Sequence, residues 1–331
     1  MKNYNVSIFV PHEGCPNNCS FCNQKSISGK TSLPTEKDVV SACEIAIKTA
    51  PSDQGEIAFF GGSFTAIERN YMLTLLKSAY PFVKEGFFKG IRISTRPDCI
   101  DNEICTILKT YGVTSVELGC QSMDEEVLKA NLRGHTSHDV EKAVKILRKF
   151  GFETGLQMMT GLYKSSFEKD VETAEKIIAL KPDTVRIYPT IVLENTLLEE
   201  KFKSGEYKVM SLEETVELCA KLLLMFEDNN IAVIRTGLHS GGNVEEGYVA
   251  GAYHPAFKEL CESEIYFSKI TEQLKSVDSN EIEIFVPYGS LSQCIGQKKK
   301  NKICLEEKGY KVKFIEDKSL KKYNVKCCVR K

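Results

Sequence analysis

The stretch Cys15-Pro-Asn-Asn-Cys19-Ser-Phe-Cys22 carries three cysteines within eight residues and follows an apolar run from Val6 to Val10. Thiolates are the soft ligands that iron–sulfur clusters and zinc require, and a short loop can aim three of them at one point. Structural zinc sites usually have four protein ligands, often as two separated Cys-x-x-Cys pairs, and no second pair of that kind follows. The spacing therefore favours an iron–sulfur cluster with one open coordination position, and it leaves structural zinc as the alternative.

The composition is that of an ordinary folded protein: 331 residues, 42% hydrophobic, 27% charged, with a formal net charge of −1. This balance gives no global sign of nucleic-acid binding, so any basic surface has to be local. No signal peptide is recognisable, and the thirteen cysteines are irregularly spaced outside the loop, which predicts reduced thiols in a cytoplasmic protein. No apolar run approaches the roughly 20 residues that span a membrane, so we expect no membrane association. Four cysteines inside apolar patterns are expected to be small core residues: Cys43, Cys105, Cys120 and Cys219.

Apolar strand-like runs alternate with amphipathic helical patterns between residue 5 and about 235. The predicted strands begin near Asn5, Glu56, Gly90, Ser115, Phe152 and Thr184. Such alternation predicts βαβ units and a parallel sheet. Six units are fewer than the eight of a closed barrel, so the predicted fold class is α/β with a partial (βα)6 barrel. The run from Ile231 to Arg235 is a candidate edge strand.

Polar and glycine-containing segments follow several of these strands. They are the cysteine loop, Gly61-Gly62, Ser94 to Arg96, Gln121, and Gln157 to Gly161. Because the chemistry of parallel sheets lies at the carboxyl ends of the strands, we expect these segments to converge on one site.

With these residues assembled, the sequence resembles the radical S-adenosylmethionine (SAM) superfamily, and within it the radical-SAM domain of the Elongator catalytic subunit. Five phrases carry the resemblance: Ser94-Thr-Arg-Pro-Asp98, Val116-Glu-Leu-Gly-Cys-Gln-Ser122, Arg133-Gly-His-Thr136, Gln157-Met-Met-Thr-Gly-Leu162 and Ile187-Tyr-Pro-Thr190. They occur in the family's order. The resemblance implies that Cys15, Cys19 and Cys22 bind three irons of a 4Fe–4S cluster, and that SAM binds the fourth.

The resemblance further implies an enzyme that reductively cleaves SAM to methionine and a 5′-deoxyadenosyl radical. An electron donor such as a flavodoxin or ferredoxin would supply the electron. Eight residues are implied as SAM contacts: Gly61, Gly62, Ser63, Ser94, Arg96, Gln121, Arg133 and Gln157. Ser63 departs from the glutamate that many superfamily members carry there. For Arg96 and for Arg186, which could hold an anion, internal ion pairing is the alternative.

The remainder of the chain departs from the Elongator subunit, which continues into an acetyltransferase domain. Residues 236–331 are too few for that domain and contain no Gly-rich acyl-CoA loop. We expect a core barrel over 1–235, a connecting or lid segment over 236–280 and a small module over 281–331. His239 and His254 in the connecting segment are candidates for a metal or catalytic role, weighed against ordinary structural roles.

The order strand, helix, basic turn, helix and strand between 282 and 314 resembles an α+β KH module, which clamps a single-stranded nucleic-acid backbone. Lys299 stands where the KH loop has its second glycine, so the turn would hold phosphate electrostatically instead. The candidate RNA contacts are Gly296, Lys298, Lys299 and Lys300. The alternative is a merely solvated turn.

Together these features predict a radical-SAM enzyme that acts on RNA, with a tRNA wobble uridine as the expected target. One alternative keeps the radical chemistry but acts on a small molecule, as in the coproporphyrinogen-dehydrogenase branch. The other alternative is a non-enzymatic RNA-binding protein that holds a structural metal.

Overall fold

The computed structural model describes residues 4–11, 19–23, 32–49, 55–238 and 245–330. Seven parallel strands form one sheet that curls into a half-barrel, and their spatial order follows the chain order. They are β1 (Tyr4–Val10), β2 (Gly55–Gly61), β3 (Gly90–Thr95), β4 (Val113–Gln121), β5 (Glu153–Thr160), β6 (Thr184–Pro189) and β8 (Ala232–Thr236). The predicted (βα)6 half-barrel and its edge strand at 231–235 are therefore confirmed.

Amphipathic helices cover the outer face of this sheet. They are α1 (Glu36–Thr49), α2 (Arg69–Lys84), α3 (Asn102–Thr110), α4 (Glu125–Ala130), α5 (Ser137–Lys149), α6 (Phe167–Ala179) and α8 (Leu212–Asp228). In α5 the buried residues are Val140, Ala143, Val144 and Leu147, the spacing of one helical face. A capping box between Thr136 and Asp139 starts this helix. No helix in the described ranges is long and apolar enough to cross a membrane.

Three short elements at the carboxyl edge of the sheet were not predicted. Strand β7 (Ile191–Leu193) pairs antiparallel with β9 (Tyr248–Gly251), and α7 (Leu197–Lys203) follows β7. A three-residue strand is too short to show an alternating pattern, and its partner lies far along the chain. These elements cover part of the edge where the predicted site residues lie.

The expected connecting segment contains an 18-residue helix, α9 (Phe257–Leu274), which was not predicted. Its buried residues include Phe257, Cys261, Ile265, Ile270 and Leu274, which recur every four or five positions. Helix α9 packs against α8 of the barrel on one side and against the C-terminal module on the other. Residues 239–244, with His239, lie outside the described ranges.

The C-terminal module is a three-stranded sheet with two short helices. Strand β10 (Glu281–Pro287) lies between β11 (Lys311–Asp317), which is parallel to it, and β12 (Lys326–Val329), which is antiparallel. As predicted, α10 (Leu291–Ile295) and α11 (Lys300–Glu307) connect β10 to β11. Strand β12 was not predicted, and it contains Cys327 and Cys328. Buried residues of β10 belong to the same hydrophobic cluster as the barrel core, so α9 joins the two parts.

Asn301 fixes the turn between α10 and α11 to helix α9. Its side chain is buried, and Nδ2 donates to the carbonyl and hydroxyl oxygens of Ser263 at 3.0 Å and to the carbonyl oxygen of Cys294 at 3.2 Å. A Cβ on Gly296 would lie 3.0 Å from Asn301, and φ is +82° there, so the turn requires glycine.

Replacing Asn301 by alanine should destabilise the protein by about 1–3 kcal/mol, because it leaves buried carbonyl groups without a donor. Equilibrium urea denaturation measures this free energy of unfolding. Asn280→Ala, at an exposed position just before β10, is the control and should change it little. Equal effects of the two substitutions would contradict the anchoring role of Asn301.

His135 is a buried histidine beneath the end of β4. Its Nε2 lies 3.2 Å from the carbonyl oxygen of Cys120, an acceptor, so Nε2 carries the proton of the neutral ring. Burial, and after it the nearby positive charges of Arg133 and Arg96, lower the pKa of His135 from 6.5 to about 4. The unfolded chain therefore binds a proton at His135 at a higher pH than the folded protein does.

His135→Gln should make the free energy of unfolding depend less on pH below about pH 6.5. As pH falls from 6.5 to 4, His135 should cost the wild type up to about 3 kcal/mol of unfolding free energy, which the glutamine variant does not lose. Denaturation of both cluster-free proteins across this range measures the difference. Burial raises the pKa of Asp170 to about 6, which has the opposite effect, but Asp170 is common to both proteins and cancels. Parallel pH profiles would show that His135 is not buried as a neutral ring.

Candidate active site at the carboxyl ends of the strands

The described part of the cysteine loop, residues 19–23, lies against the ends of α4 and α7. The amide of Cys22 donates to the carbonyl oxygen of Cys19 at 3.0 Å, which closes a tight turn between the two cysteines. Cys19 is buried. Cys15 lies outside the described ranges, so its convergence with the other two thiols stays a prediction.

Arg133 connects this loop to the end of β4. Its Nη1 lies 3.1 Å from Sγ of Cys19, and its Nη2 donates to the carbonyl oxygen of Gly119 at 2.6 Å. A Cβ on Gly119 would lie 3.1 Å from Nε2 of Gln121 and 3.4 Å from Nη2 of Arg133. Glycine at 119 leaves room for the side chains of Gln121 and Arg133, which both pass close to it.

Two polar side chains at the ends of β3 and β4 have buried oxygen atoms for which the described residues provide no partner: Oγ of Ser94 and Oε1 of Gln121. Buried polar atoms are normally hydrogen-bonded. Gln121 also has φ +66°, which residues other than glycine rarely adopt. Strain of this kind is often found at functional sites. These atoms indicate a polar ligand at this point of the barrel.

Glu117 of β4 organises the barrel interior next to these residues. Its buried carboxylate lies 2.6 Å from Nε of Arg186 and accepts from Nη2 of Arg186 at 2.8 Å and from Nη1 of Arg92 at 3.2 Å. It also accepts from Nε2 of Gln157 at 2.9 Å. Since a carboxylate can only accept, Gln157 uses its amide nitrogen here and keeps its carbonyl oxygen for a ligand. Arg186 is thus internally paired.

Arg96 forms the internal ion pair that was the alternative to SAM binding. Its Nε and Nη2 donate to the carboxylate of Asp98 at 2.9 and 2.8 Å, and Nη2 also donates to the carbonyl oxygen of Arg133 at 2.6 Å. Its Nη1 is buried, and the described chain offers it no acceptor. Arg96 therefore supports Arg133, and Nη1 is the atom left for a ligand.

Ser63 and the two glycines before it hold the loop after β2 in place. Oγ of Ser63 lies 2.8 Å from Oγ1 of Thr95 and accepts from the amide of Arg96 at 3.1 Å. Gly61 has φ +121°, and a Cβ there would lie 2.2 Å from the carbonyl oxygen of Val10. The amide of Gly62 donates to the same oxygen at 3.0 Å. These contacts explain the residue types without a ligand, so SAM binding at 61–63 stays a prediction.

Other candidate residues have structural roles in the described chain. Nδ1 of His254 accepts from the amide of Ala256 at 3.1 Å at the start of α9. Cys43, Cys105, Cys120 and Cys219 are fully buried core residues, as predicted. Burial raises the pKa of Cys120 to about 12, so its thiol is neutral.

Sequence reasoning missed two residues of the site, Ser20 and Asn131. Ser20 lies between two cysteines of the loop, and Asn131 lies two residues before Arg133. Their roles depend on contacts between distant segments, and only their position next to predicted ligands could have drawn attention to them.

The side chains present fit a 4Fe–4S cluster and SAM. A buried guanidinium next to a cysteine sulfur suits a negatively charged thiolate ligand. The oxygen atoms of Ser94 and Gln121, which have no partner among the described residues, and the amide carbonyl of Gln157 are acceptors that suit the amino and hydroxyl groups of SAM.

Known protein families and individual proteins share sequence with much of this chain. A family model of the radical SAM superfamily matches residues 9–177, and one of the radical SAM C-terminal domain matches residues 182–266. The tRNA uridine(34) acetyltransferase of Methanocaldococcus infernus is 35% identical over 189 residues, which are 51% of this chain and 35% of that protein. Elongator complex protein 3 of Homo sapiens is 34% identical over 194 residues, 52% of this chain and 35% of that protein. The matched stretch thus spans about a third of these relatives.

Solved structures show the same fold. Elp3 of Methanocaldococcus infernus superposes with a TM-score of 0.64 at 23% identity, covering 81% of this chain and 67% of that one. Streptococcus suis SuiB bound to SAM gives 0.51 at 17% identity, covering 70% and 50%. Since the superfamily model covers more than half of the sequence, the chain belongs to the radical SAM superfamily, whose members use a 4Fe–4S cluster and SAM.

Proposed function

We propose that this radical SAM enzyme modifies RNA, and that its target is the wobble uridine of a tRNA. The observation that carries the chemistry is the buried link from Cys19 through Arg133 to Gly119, with unpaired oxygen atoms beside it. Support for the substrate comes from relatives named for tRNA uridine 34, which match 51% and 61% of this chain. The matched stretch covers 35% and 52% of those relatives.

In this proposal Cys15, Cys19 and Cys22 would hold the cluster, and an electron carrier such as a flavodoxin or ferredoxin would be the partner that reduces it. A bound cluster with SAM would supply the chemistry of a carbon-centred radical for hydrogen abstraction. The protein's own contribution is to bind and orient. Gln157, held by Glu117, accepts from a donor group of SAM, and the buried surroundings of Arg133 keep water away from the sulfur of Cys19.

After anaerobic reconstitution, the protein should be brown and should cleave SAM in the presence of reductant, faster with tRNA than without it. Cys19→Ala should lose colour and reduce SAM cleavage to background, because a cluster ligand is gone. Cys43→Ala, another buried cysteine but in helix α1, is the matched control and should keep both. Absorbance, iron content and chromatography of 5′-deoxyadenosine measure these effects.

Three other outcomes would decide against parts of this proposal. A colourless zinc protein would contradict the radical chemistry altogether. Colour and SAM cleavage retained in Cys19→Ala would contradict the ligand assignment. SAM cleavage that responds to a metabolite and is indifferent to RNA would support the small-molecule alternative.

The C-terminal module provides the local positive charge that RNA binding needs. From Glu281 to Lys331 the sequence has thirteen lysines and arginines against six acidic residues, although the whole chain has a net charge of −1. In the turn before α11, Lys298 and Lys299 are exposed and have φ values of +52° and +63°. Such conformations are unusual for lysine, and they present neighbouring charges on a constrained turn.

Helix α9 connects this turn to the carboxyl end of β8. The helix begins beside Gly237, which follows β8, since a Cβ on Gly237 would lie 2.8 Å from Cβ of Phe257. Asn301 contacts Ser263, six residues along the helix, or about 9 Å at a rise of 1.5 Å per residue. Strand β12 instead contacts Gln273 near the other end of α9. We therefore propose that Lys298, Lys299 and Lys300, with the Gly296 turn, hold phosphates of the RNA whose target base enters the barrel.

Replacing Lys298 and Lys299 by glutamine should weaken tRNA binding and lower its salt dependence. The slope of log affinity against log salt should fall by about 1.4, since each contact to a single strand contributes about 0.7. The control is the double variant Lys321→Gln with Lys326→Gln, which replaces two exposed lysines in or before β12. It changes the net charge by the same amount and should leave the slope nearly unchanged. Fluorescence anisotropy with labelled tRNA measures both. Equal loss in the two variants would show that only net charge matters.

A further inference from the structure

Ser20, between two cysteines of the cluster loop, is completely buried, and each of its polar groups is hydrogen-bonded to another segment. Its amide donates to the carbonyl oxygen of Asn131 at 3.1 Å, and its hydroxyl donates to Oδ1 of the same residue at 2.6 Å. Its carbonyl oxygen accepts from the amide of Leu198 in α7 at 2.8 Å. The backbone between Cys19 and Cys22 is thus held from two sides.

Asn131 is the centre of this arrangement. It caps the C-terminus of α4 and is completely buried. Its Nδ2 donates to the carbonyl oxygens of Val127 at 2.8 Å and of Tyr163 at 2.9 Å. One side chain therefore joins the cysteine loop, the end of α4 and the loop after β5. The side-chain oxygen of Asn131 and both N–H groups of its Nδ2 therefore take part in hydrogen bonds.

The residue after Asn131 shows how the chain achieves this placement. Leu132 has φ +55°, a region that disfavours leucine, and its side chain is 48% exposed. The sharp change of direction turns Leu132 outward, and it lets Asn131 and Arg133 on either side both face the cysteine loop. Asn131 thus reaches Ser20, and Arg133 reaches a sulfur atom of the loop, that of Cys19.

The start of helix α7 and the residues just before it hold the loop from the opposite side. Besides the contact of Leu198 in α7, Nδ2 of Asn23 donates to the carbonyl oxygen of Glu194, between β7 and α7, at 2.7 Å. Phe21 packs against a small hydrophobic cluster that contains Tyr163 and Leu198. The carbonyl oxygen of Tyr163 also accepts from Asn131, so Tyr163 connects the Asn131 side of the loop with the α7 side.

We propose that Asn131 is a positioning residue for the iron–sulfur cluster, acting through Ser20 to fix the loop that carries Cys19 and Cys22. Residues that support metal ligands orient them and limit access of solvent to the site. Without the bond to Ser20, the loop loses its fixed distance from Arg133, and water reaches the cysteine sulfurs more easily. The inference rests on membership of the superfamily and is independent of the proposal that RNA is the substrate.

Ser20→Ala removes one hydroxyl, and it is the primary test because the change is small. We expect the reconstituted protein to release iron to a chelator about tenfold faster than wild type, the lower end of what loss of a supporting residue costs a metal site. The electron paramagnetic resonance spectrum of the reduced cluster, with and without SAM, should also change. Ser115→Ala is the matched control: Ser115 is as buried and donates to a side-chain oxygen, that of Glu56, at 3.0 Å. It should lower the unfolding temperature similarly while keeping iron release and spectrum like wild type.

A double substitution tests whether Asn131 acts through Ser20. If it does, Asn131→Ala with Ser20→Ala should release iron no faster than Asn131→Ala alone, because both remove the same connection. Fully additive effects would overturn the proposal, and so would wild-type iron release and an unchanged spectrum in Ser20→Ala. Should Asn131→Ala fail to fold, the comparison of Ser20→Ala with Ser115→Ala decides the question. Equal iron release in those two variants would mean that general destabilisation explains the effect.

Discussion

A guanidinium held between a cysteine sulfur and a backbone carbonyl is the interaction on which this site depends. Gly119 leaves room for Arg133 in that position, and Asp98 holds Arg96 beside it. The positive charge lies next to the sulfur of Cys19, and the backbone carbonyl of Arg133 accepts a hydrogen bond from Arg96. Arginine suits this role because it offers several donors in a fixed plane, whereas lysine would offer a single point of charge.

The interior of the half-barrel is a second constraint, since it buries carboxylates and guanidinium groups together. Glu117 is satisfied by two arginines and a glutamine, and Arg92 also pairs with Glu56 at 2.7 Å. Removing one partner of such a buried group would leave a charge without compensation, which is strongly unfavourable. The ionic layer thus supports the more exposed layer above it, where oxygen atoms of Ser94 and Gln121 have no partner in the described part of the chain.

The barrel could be predicted from sequence because each buried strand and each amphipathic helix carries its own local pattern. The position of Gln121 at the end of β4 followed from the same logic, whereas Gln157, expected at a strand end, lies within β5. The pairing of side chains did not follow, because Gln157 contacts Glu117 forty residues away and Ser63 contacts Thr95 on the neighbouring strand. Strand β7 was missed because three residues are too few to show an alternating apolar pattern. Helix α9 was missed because its apolar stripe is narrow and follows a glycine-rich stretch.

Helix α9 packs the C-terminal module directly onto the barrel. The ring of Tyr266 in α9 packs against that of Tyr323, and its hydroxyl accepts from the amide of Tyr323 at 3.2 Å. The barrel and the module both pack against this helix, so neither part has a complete hydrophobic core without it. The module is consequently not an independent unit: removing it, or exchanging it between relatives, would expose one face of the last helix of the barrel.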